Sequence, residues 1–437
     1  MTELDPNIVG LIGVGLLMVL VLCGVRVYAA AGLTGLAGLV ALIGWDAGAG
    51  IAGTIPHSKS VTYALSVLPM FILIGFLAFH AGITRSLFDT ALKWIGWLPG
   101  GLAVATVFAT AGFSAVSGAS TATAAVFSRV AIPEMLDRGY DRRLAAGVVA
   151  AGGTLASLIP PSAILVIYAI IVEESVGALL LAGFLPGVVS ALVYALIIVI
   201  WARINPSLGK PVRGFTWGQR ARSLPAAMPV VVVVVIIFSA MYSGWATPTE
   251  AGALGAFVVL LLAFMHGMRW HGLRHALEDT ARLTVMIFTL IWGVLLFVRF
   301  LGFAGLPEAF STWVVSLPLP PLAVVICILL GYMILGMFMD AIGMLLLTLP
   351  VVYPAVIALG YDPIWFGIIV VKMAEICLIT PPIGLNCYVV NGVRPDIALS
   401  DVFRGVWPFF IADVATVALL LAFPEIVTWL PAQVNGD

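Results

Sequence analysis

Two short stretches of this chain set oxygen-bearing side chains into otherwise apolar sequence: Ser117-Gly118-Ala119-Ser120, and Asp340 within the run Gly336–Gly343. Each is followed by a double proline, Pro160-Pro161 in SLIPPS and Pro381-Pro382 in LITPPIG. Consecutive prolines withhold two N–H donors and unwind a helix. The carbonyls a turn earlier, at Ala156–Ile159 and Cys377–Thr380, then lose their helical partners and can ligate a cation. Hydroxyl, carboxylate and carbonyl oxygens suit a hard cation, and the free N–H ends of half-helices suit an anion. The chemistry implied is binding, and no enzyme is expected: no GxSxG elbow or HExxH pair occurs. Cys23, Cys327, Cys377 and Cys387 form no CxxC pair, so neither a metal framework nor a disulfide set is indicated.

The two stretches belong to copies of one unit. Pro133, Gly139, Tyr140, Asp141, Pro160 and Pro161 map onto Pro354, Gly360, Tyr361, Asp362, Pro381 and Pro382 at a constant offset of 221 residues. Paired interruptions in matching halves are the best sequence pointer to a transporter site. The Tyr-Asp pairs read as helix starts, with Asp as the cap.

The class follows from composition. The chain is 62% hydrophobic and 9% charged, with mean hydropathy +1.17, against roughly 25% charged residues in a soluble domain. The fold expected is an all-α polytopic membrane protein. Apolar runs lie near 8–24, 27–44, 66–82, 101–132, 143–170 and 178–201, then, after a basic connector Ala202–Leu224, near 225–243, 248–266, 284–302, 321–352, 363–390 and 406–428. Ile8–Val25 reads as a retained span rather than a cleavable signal. The long fourth run of each half, about 101–132 and about 321–352, reads as a re-entrant hairpin with small and polar residues at its tip. Broken helices follow at about 143–170 and about 363–390.

Charge distribution agrees. With ten crossing helices plus two re-entrant hairpins, 17 of the 20 Lys and Arg fall on one side and only Lys59 on the other, while Arg299 and Lys372 fall inside the membrane. That asymmetry makes the first side cytoplasmic. Five crossings per half invert the second repeat, giving two inverted repeats, 1–215 and 216–437, with both termini outside.

Taken together, SGAS, RGYD, IPPS, FMD, LPVVYP, GYDPIWFGI and TPPIGLN resemble the large membrane subunit of tripartite ATP-independent periplasmic (TRAP) transporters, from about residue 8 to about 430. The resemblance implies an elevator-type secondary transporter of the bacterial inner membrane, driven by Na⁺ and moving an organic acid. It implies a small four-helix membrane subunit and a soluble periplasmic substrate-binding protein as partners. Carried over, one Na⁺ site falls on Ser117, Ala119, Ala156, Ile159 and Pro161, and a second on Asp340, Thr380 and Pro382. This chain has SGAS where the family often has SGSS, and Lys372 where it often has Asn. Substrate contacts are placed on Ser120, Thr123, Ser162, Lys372, Gly384 and Asn386. Other readings compete. Ser117 and Ser120 could serve only close helix packing, Arg299 could snorkel, and Lys372 and Glu375, one turn apart, could be a buried structural pair. The rival function is a stand-alone Na⁺-coupled carboxylate carrier without partner subunits.

The topology generates the first test. Cysteine labelling from outside intact cells is expected to reach positions near Glu308 and to miss positions near Arg213. Labelling near Arg213 contradicts the orientation.

Overall fold

The computed structural model describes residues 5–337 and 339–435. Met1–Leu4, Phe338 of the FMD motif, and residues 436–437 lie outside the described residues. The first half folds into α1 (Pro6–Leu22), α2 (Val27–Ile43), α3 (Trp45–Ser60), α4 (Val67–His80), α5 (Ile83–Ile95), α6 (Gly101–Ser117), α7 (Ser120–Asp137), α8 (Arg142–Thr154), α9 (Ala163–Val172) and α10 (Val176–Ile204). The second half folds into α11 (Trp217–Tyr242), α12 (Pro248–Met265), α13 (Trp270–Phe303), α14 (Leu306–Ser316), α15 (Pro321–Gly336), α16 (Ala341–Ala358), α17 (Pro363–Cys377), α18 (Leu385–Val393), α19 (Leu399–Ala422) and α20 (Glu425–Asn435). No strand occurs among the described residues. Six of these helices are long and apolar enough to cross a membrane, or seven if α4 and α5, bent by 72°, count as one span. Their outer faces stay apolar: Leu11 and Ile12 on α1, Leu192 and Leu196 on α10, and Val231 and Val235 on α11 are exposed. In a bilayer such faces meet lipid or another subunit.

Several helices depart from the apolar runs. Helices α3, α5, α14 and α20 lie outside them, because each is short or carries charge on one face. In α5 the buried face is Ile83, Leu87, Phe88 and Leu92, a helical stripe interrupted in sequence by Arg85, Asp89 and Lys93. Helix α13 begins at Trp270 rather than near 284, with a charged first third. The connector Ala202–Leu224 is shorter than its composition implies. Helix α10 runs to Ile204, and α11 starts at Trp217 because Thr216 and Gln219 form a capping box.

The interruptions fall where the residues put them. Gly118 ends α6 with φ 59°, and Ala119 is extended before α7 restarts. A left-handed residue is nearly free of strain only for Gly. Asp340 caps α16, Asp141 caps α8 and Asp362 caps α17. The peptides Pro160–Pro161 and Pro381–Pro382 are both cis, so the matched prolines also match in conformation.

The halves pack into one another: α8 lies along α19, α18 against α7 and α8, α16 against α9, and α10 against α17. The α8–α19 crossing is backbone to backbone. A Cβ on Gly405 would sit 1.9 Å from the Arg143 carbonyl oxygen, and one on Gly147 would sit 2.2 Å from the Gly405 oxygen. No flexible side-chain end is there to give way, so Gly405→Ala should lower stability by roughly 1–3 kcal/mol. Gly392, with open space around its would-be Cβ, is the control: its alanine variant should be neutral or slightly stabilising. Thermal unfolding of the purified variants distinguishes the two, and equal effects would mean that α8 and α19 are not in this contact.

Candidate cation and substrate site

The first break is closed on all sides. A 3₁₀ turn over Leu155–Ser157 ends α8, and α9 begins after Ser162. Ala156, Leu158, Ile159, Pro160, Pro161 and Ser162 are buried. The α6–α7 tip inserts against it, since a Cβ on Gly118 would lie 2.3 Å from the Pro161 carbonyl oxygen. On the other side α10 comes as close, with Gly183 against the Leu158 carbonyl. Irregular backbone at membrane depth is tolerated only when protein surrounds it, and here protein does.

Hydroxyl groups knit this tip to this break. The Ser117 and Thr123 hydroxyls are 2.9 Å apart, and Thr123 also donates to the Ala119 carbonyl at 3.0 Å. Ser120 Oγ and Ser157 Oγ are 2.7 Å apart. The Ser162 hydroxyl donates to the Ser157 carbonyl and accepts from the Leu165 N–H. The carbonyls of Ala156, Ile159 and Pro161 accept no hydrogen bond among the described residues. Ser117, Ala119, Ala156, Ile159 and Pro161 thus belong to one buried junction whose oxygens are partly committed and partly free. The Ala119 oxygen also accepts from the Thr123 N–H at 3.0 Å, so both of its lone pairs are engaged, and a cation there would compete with the Thr123 hydroxyl.

The second break is more open. Pro382 and Ile383 are exposed, whereas Thr380 and Asn386 are buried. Helix α18 restarts from Gly384, left-handed at φ 51° and pressed against the Phe403 ring. Three carbonyls expected to be free are satisfied here: Cys377 accepts from the Thr380 N–H at 3.2 Å, Leu378 from the Asn386 N–H at 2.9 Å, and Ile379 from the Cys387 thiol at 3.6 Å. The Thr380 hydroxyl turns back to the Ile376 carbonyl at 2.6 Å. The carbonyls of Thr380 and Pro382 accept nothing among the described residues. Asp340 is exposed, and its carboxylate accepts from the Gly343 N–H at 3.0 Å. It is the cap of α16, and among the described residues no hydrogen bond joins it to Thr380.

Two candidate substrate contacts are occupied elsewhere. Asn386 is fully buried, and its amide donates to the Ala150 carbonyl of α8 at 3.1 Å, tying the second break to the first half. Lys372 is also fully buried, with its ammonium 2.8 Å from Glu375 and 2.7 Å from Asp413. Tyr194 donates to the same Asp413 oxygen at 2.7 Å. Glu375 was legible as the partner of Lys372. Asp413 and Tyr194 were missed, although a carboxylate in the middle of the run 406–428 is the same costly signal that marked Asp340.

Cavities flank these elements. One of about 750 Å³ is lined by Lys59, Glu173, Arg299 and Pro350, among others, and so lies between α3, α13 and the α9 and α16 elements of the two breaks. Arg299 therefore lines a cavity that it shares with Lys59 and Glu173. A nearly apolar one of about 150 Å³ reaches Ser117 and Ala119 from α4 and α13.

The junction makes a stability prediction. Ser120→Ala leaves the Ser157 hydroxyl buried without its partner. A double-mutant cycle with Ser157→Ala should return a coupling of roughly 1 kcal/mol in unfolding free energy. A coupling near zero would mean that the tip does not bond the break.

Similar proteins make the class definite. The family described as tripartite ATP-independent periplasmic transporter, DctM component, matches residues 14–426. The C4-dicarboxylate TRAP transporter large permease of Pseudomonas aeruginosa is 36% identical over 85% of this chain and 85% of its own. The sialic acid TRAP transporter large permease of Vibrio cholerae is 31% identical over 86% of this chain and 87% of its own. The crystal structure of the Alcanivorax borkumensis YdaH transporter has the same fold, with a TM-score of 0.58 at 14% identity, covering 98% of this chain and all of that one. All-helical, apolar and matched along nearly its whole length, the chain belongs to the DctM family of TRAP transporter large permeases and is a transporter component, not an enzyme.

Proposed function

We propose that this permease carries out Na⁺-coupled uptake of an organic acid across the bacterial inner membrane by an elevator movement of its two hairpins and two broken helices. The observation that carries the reading is the doubled break. The double prolines, which withhold N–H donors, leave free carbonyls at the matched pairs Ile159 and Thr380, and Pro161 and Pro382, with Ala156 free at the first break alone, each break beside the tip of a helical hairpin or its flanking helix. These oxygens, with the Ser117 hydroxyl and the Ala119 carbonyl at the first site and Asp340 at the second, would form two Na⁺ shells. At the buried first break the protein supplies oxygen ligands in a setting with little water, which is what a hard monovalent cation needs to shed its own; at the second, Asp340 and Pro382 are exposed.

The same constellation supports an anionic substrate. The N-termini of α7, α9, α16 and α18 all start at the tips and breaks, and the N–H end of a helix favours negative charge. Substrate would rest near Ser120, Thr123, Ser162, Gly384 and Asn386. Lys372 takes part only through its buried cluster, since two carboxylates hold its ammonium. Lys59 and Arg299, against the single carboxylate of Glu173, leave the large cavity one positive charge in excess, along which a carboxylate could approach. The relatives that transport C4-dicarboxylates and sialic acid favour an acid as cargo. In the proposed topology ten helices cross, the halves 1–215 and 216–437 are inverted repeats, and both termini are periplasmic. The tripartite family favours a small four-helix membrane subunit and a periplasmic binding protein as partners. The partner-free carrier gains nothing from these similarities and is not carried further.

Removing a ligand charge tests the assignment. Asp340→Asn keeps the shape and can still cap α16, yet lacks the negative charge. It should raise the Na⁺ half-saturation of uptake at least about fivefold, and substrate affinity should fall with it, because coupling between two bound ligands is reciprocal. Ser117→Ala should act in the same direction, more weakly. Both are measured at constant ionic strength, with expression and folding checked first. An unchanged Na⁺ half-saturation in Asp340→Asn overturns the second site.

A further inference from the structure

The Lys372 cluster has a charge balance that the transport reading does not use. Three ionisable side chains, Lys372 and Glu375 on α17 and Asp413 on α19, have no exposure to solvent. One cation faces two carboxylates. Tyr194 of α10 adds a hydroxyl donor to Asp413, with the Thr154 hydroxyl of α8 3.3 Å behind it. These are the groups facing the cluster: Lys372, Glu375, Asp413 and Tyr194 are its titratable members, Thr154 its neutral one, and the Leu158 turn of the first break closes it. With both acids ionised the cluster carries one surplus negative charge in the protein interior, where an uncompensated charge is expensive. Two of its oxygens, Glu375 Oε1 and Asp413 Oδ2, are buried with no hydrogen-bond partner among the described residues.

The two acids are not equivalent. Asp413 Oδ1 receives two donors, the Lys372 ammonium at 2.7 Å and the Tyr194 hydroxyl at 2.7 Å. Glu375 receives Lys372 at 2.8 Å, and its other neighbour is the Leu158 N–H, which is already given to the Leu155 carbonyl at 3.3 Å. A second carboxylate ion beside the first, with the weaker set of donors, is the one whose charge the site supports least. A metal ion is a poor compensating charge here, since the Lys372 ammonium already occupies the space between the carboxylates.

We propose that the cluster is a proton-binding site, with one proton from bulk water held on Glu375 as a carboxylic acid while Asp413 stays ionised against Lys372 and Tyr194. The site is distinct from the proposed Na⁺ sites and does not depend on them. It sits one turn before the second break and touches the first, joining α17 and α19 to α8 and α10. A proton there would be bound by both halves of the chain at once.

Infrared spectroscopy of the purified full-length chain in lipid nanodiscs at neutral pH tests this directly. The wild type should show a protonated-carboxyl C=O band that shifts when glutamate is labelled with ¹³C. Glu375→Gln should lose that band. Asp413→Asn should lose it too, because one acid opposite Lys372 needs no proton. If either variant fails to fold, the labelled wild type decides alone. No glutamate-dependent carboxyl band overturns the proposal, and so does a band that survives in Glu375→Gln. A cluster charged at neutral pH, with Na⁺-dependent thermal stability that Glu375→Gln abolishes, would make the compensating ion Na⁺ and likewise overturn it.

Discussion

A helix that stops inside hydrocarbon leaves N–H and C=O groups that water cannot reach, and each one unsatisfied costs several kcal/mol. The structure around both breaks is a set of answers to that constraint. At the first break, hydroxyls of Ser117, Ser120, Thr123, Ser157 and Ser162 bond one another and nearby carbonyls, and α10 and the hairpin tip seal the turn. At the second, the Asn386 amide and the Cys387 thiol take up two carbonyls. What remains free is a short list of carbonyl oxygens, gathered in two places related by the 221-residue offset. Leaving those groups free makes sense only if something else pairs with them, which links the packing to the function.

The two breaks differ in how far they are closed, and the difference follows from their neighbours. Gly183 lets α10 press on Leu158, whereas Pro382 and Ile383 stay exposed. Pseudo-symmetry in sequence thus coexists with asymmetry in packing. Close glycine-mediated crossings such as α8 on α19 lock the two halves together where they meet.

Much of this was legible in the sequence because the informative residues are helix breakers in apolar surroundings. The double prolines, Gly118 and the caps Asp141 and Asp362 all do what their types demand, whereas the capping of α16 by Asp340 was not read from the sequence. Periodicity missed α5 and the start of α13 because charges interrupt their apolar stripes, and hydropathy alone cannot place an amphipathic helix. The Lys372–Glu375 pair was readable from helical spacing, but Asp413 lies in another helix, and only the tertiary fold brings it within reach. The satisfaction of Leu378 and Ile379 was likewise hidden, since it depends on where α18 restarts.

The central claim is that the free oxygens at the two breaks couple an organic acid to Na⁺. The most direct measurement is uptake into proteoliposomes holding the complete three-component system, with an imposed Na⁺ gradient and no membrane potential. Accumulation of the acid against its own gradient, present with inward Na⁺ and absent when K⁺ replaces it, is the predicted result. Accumulation indifferent to Na⁺ would contradict the account.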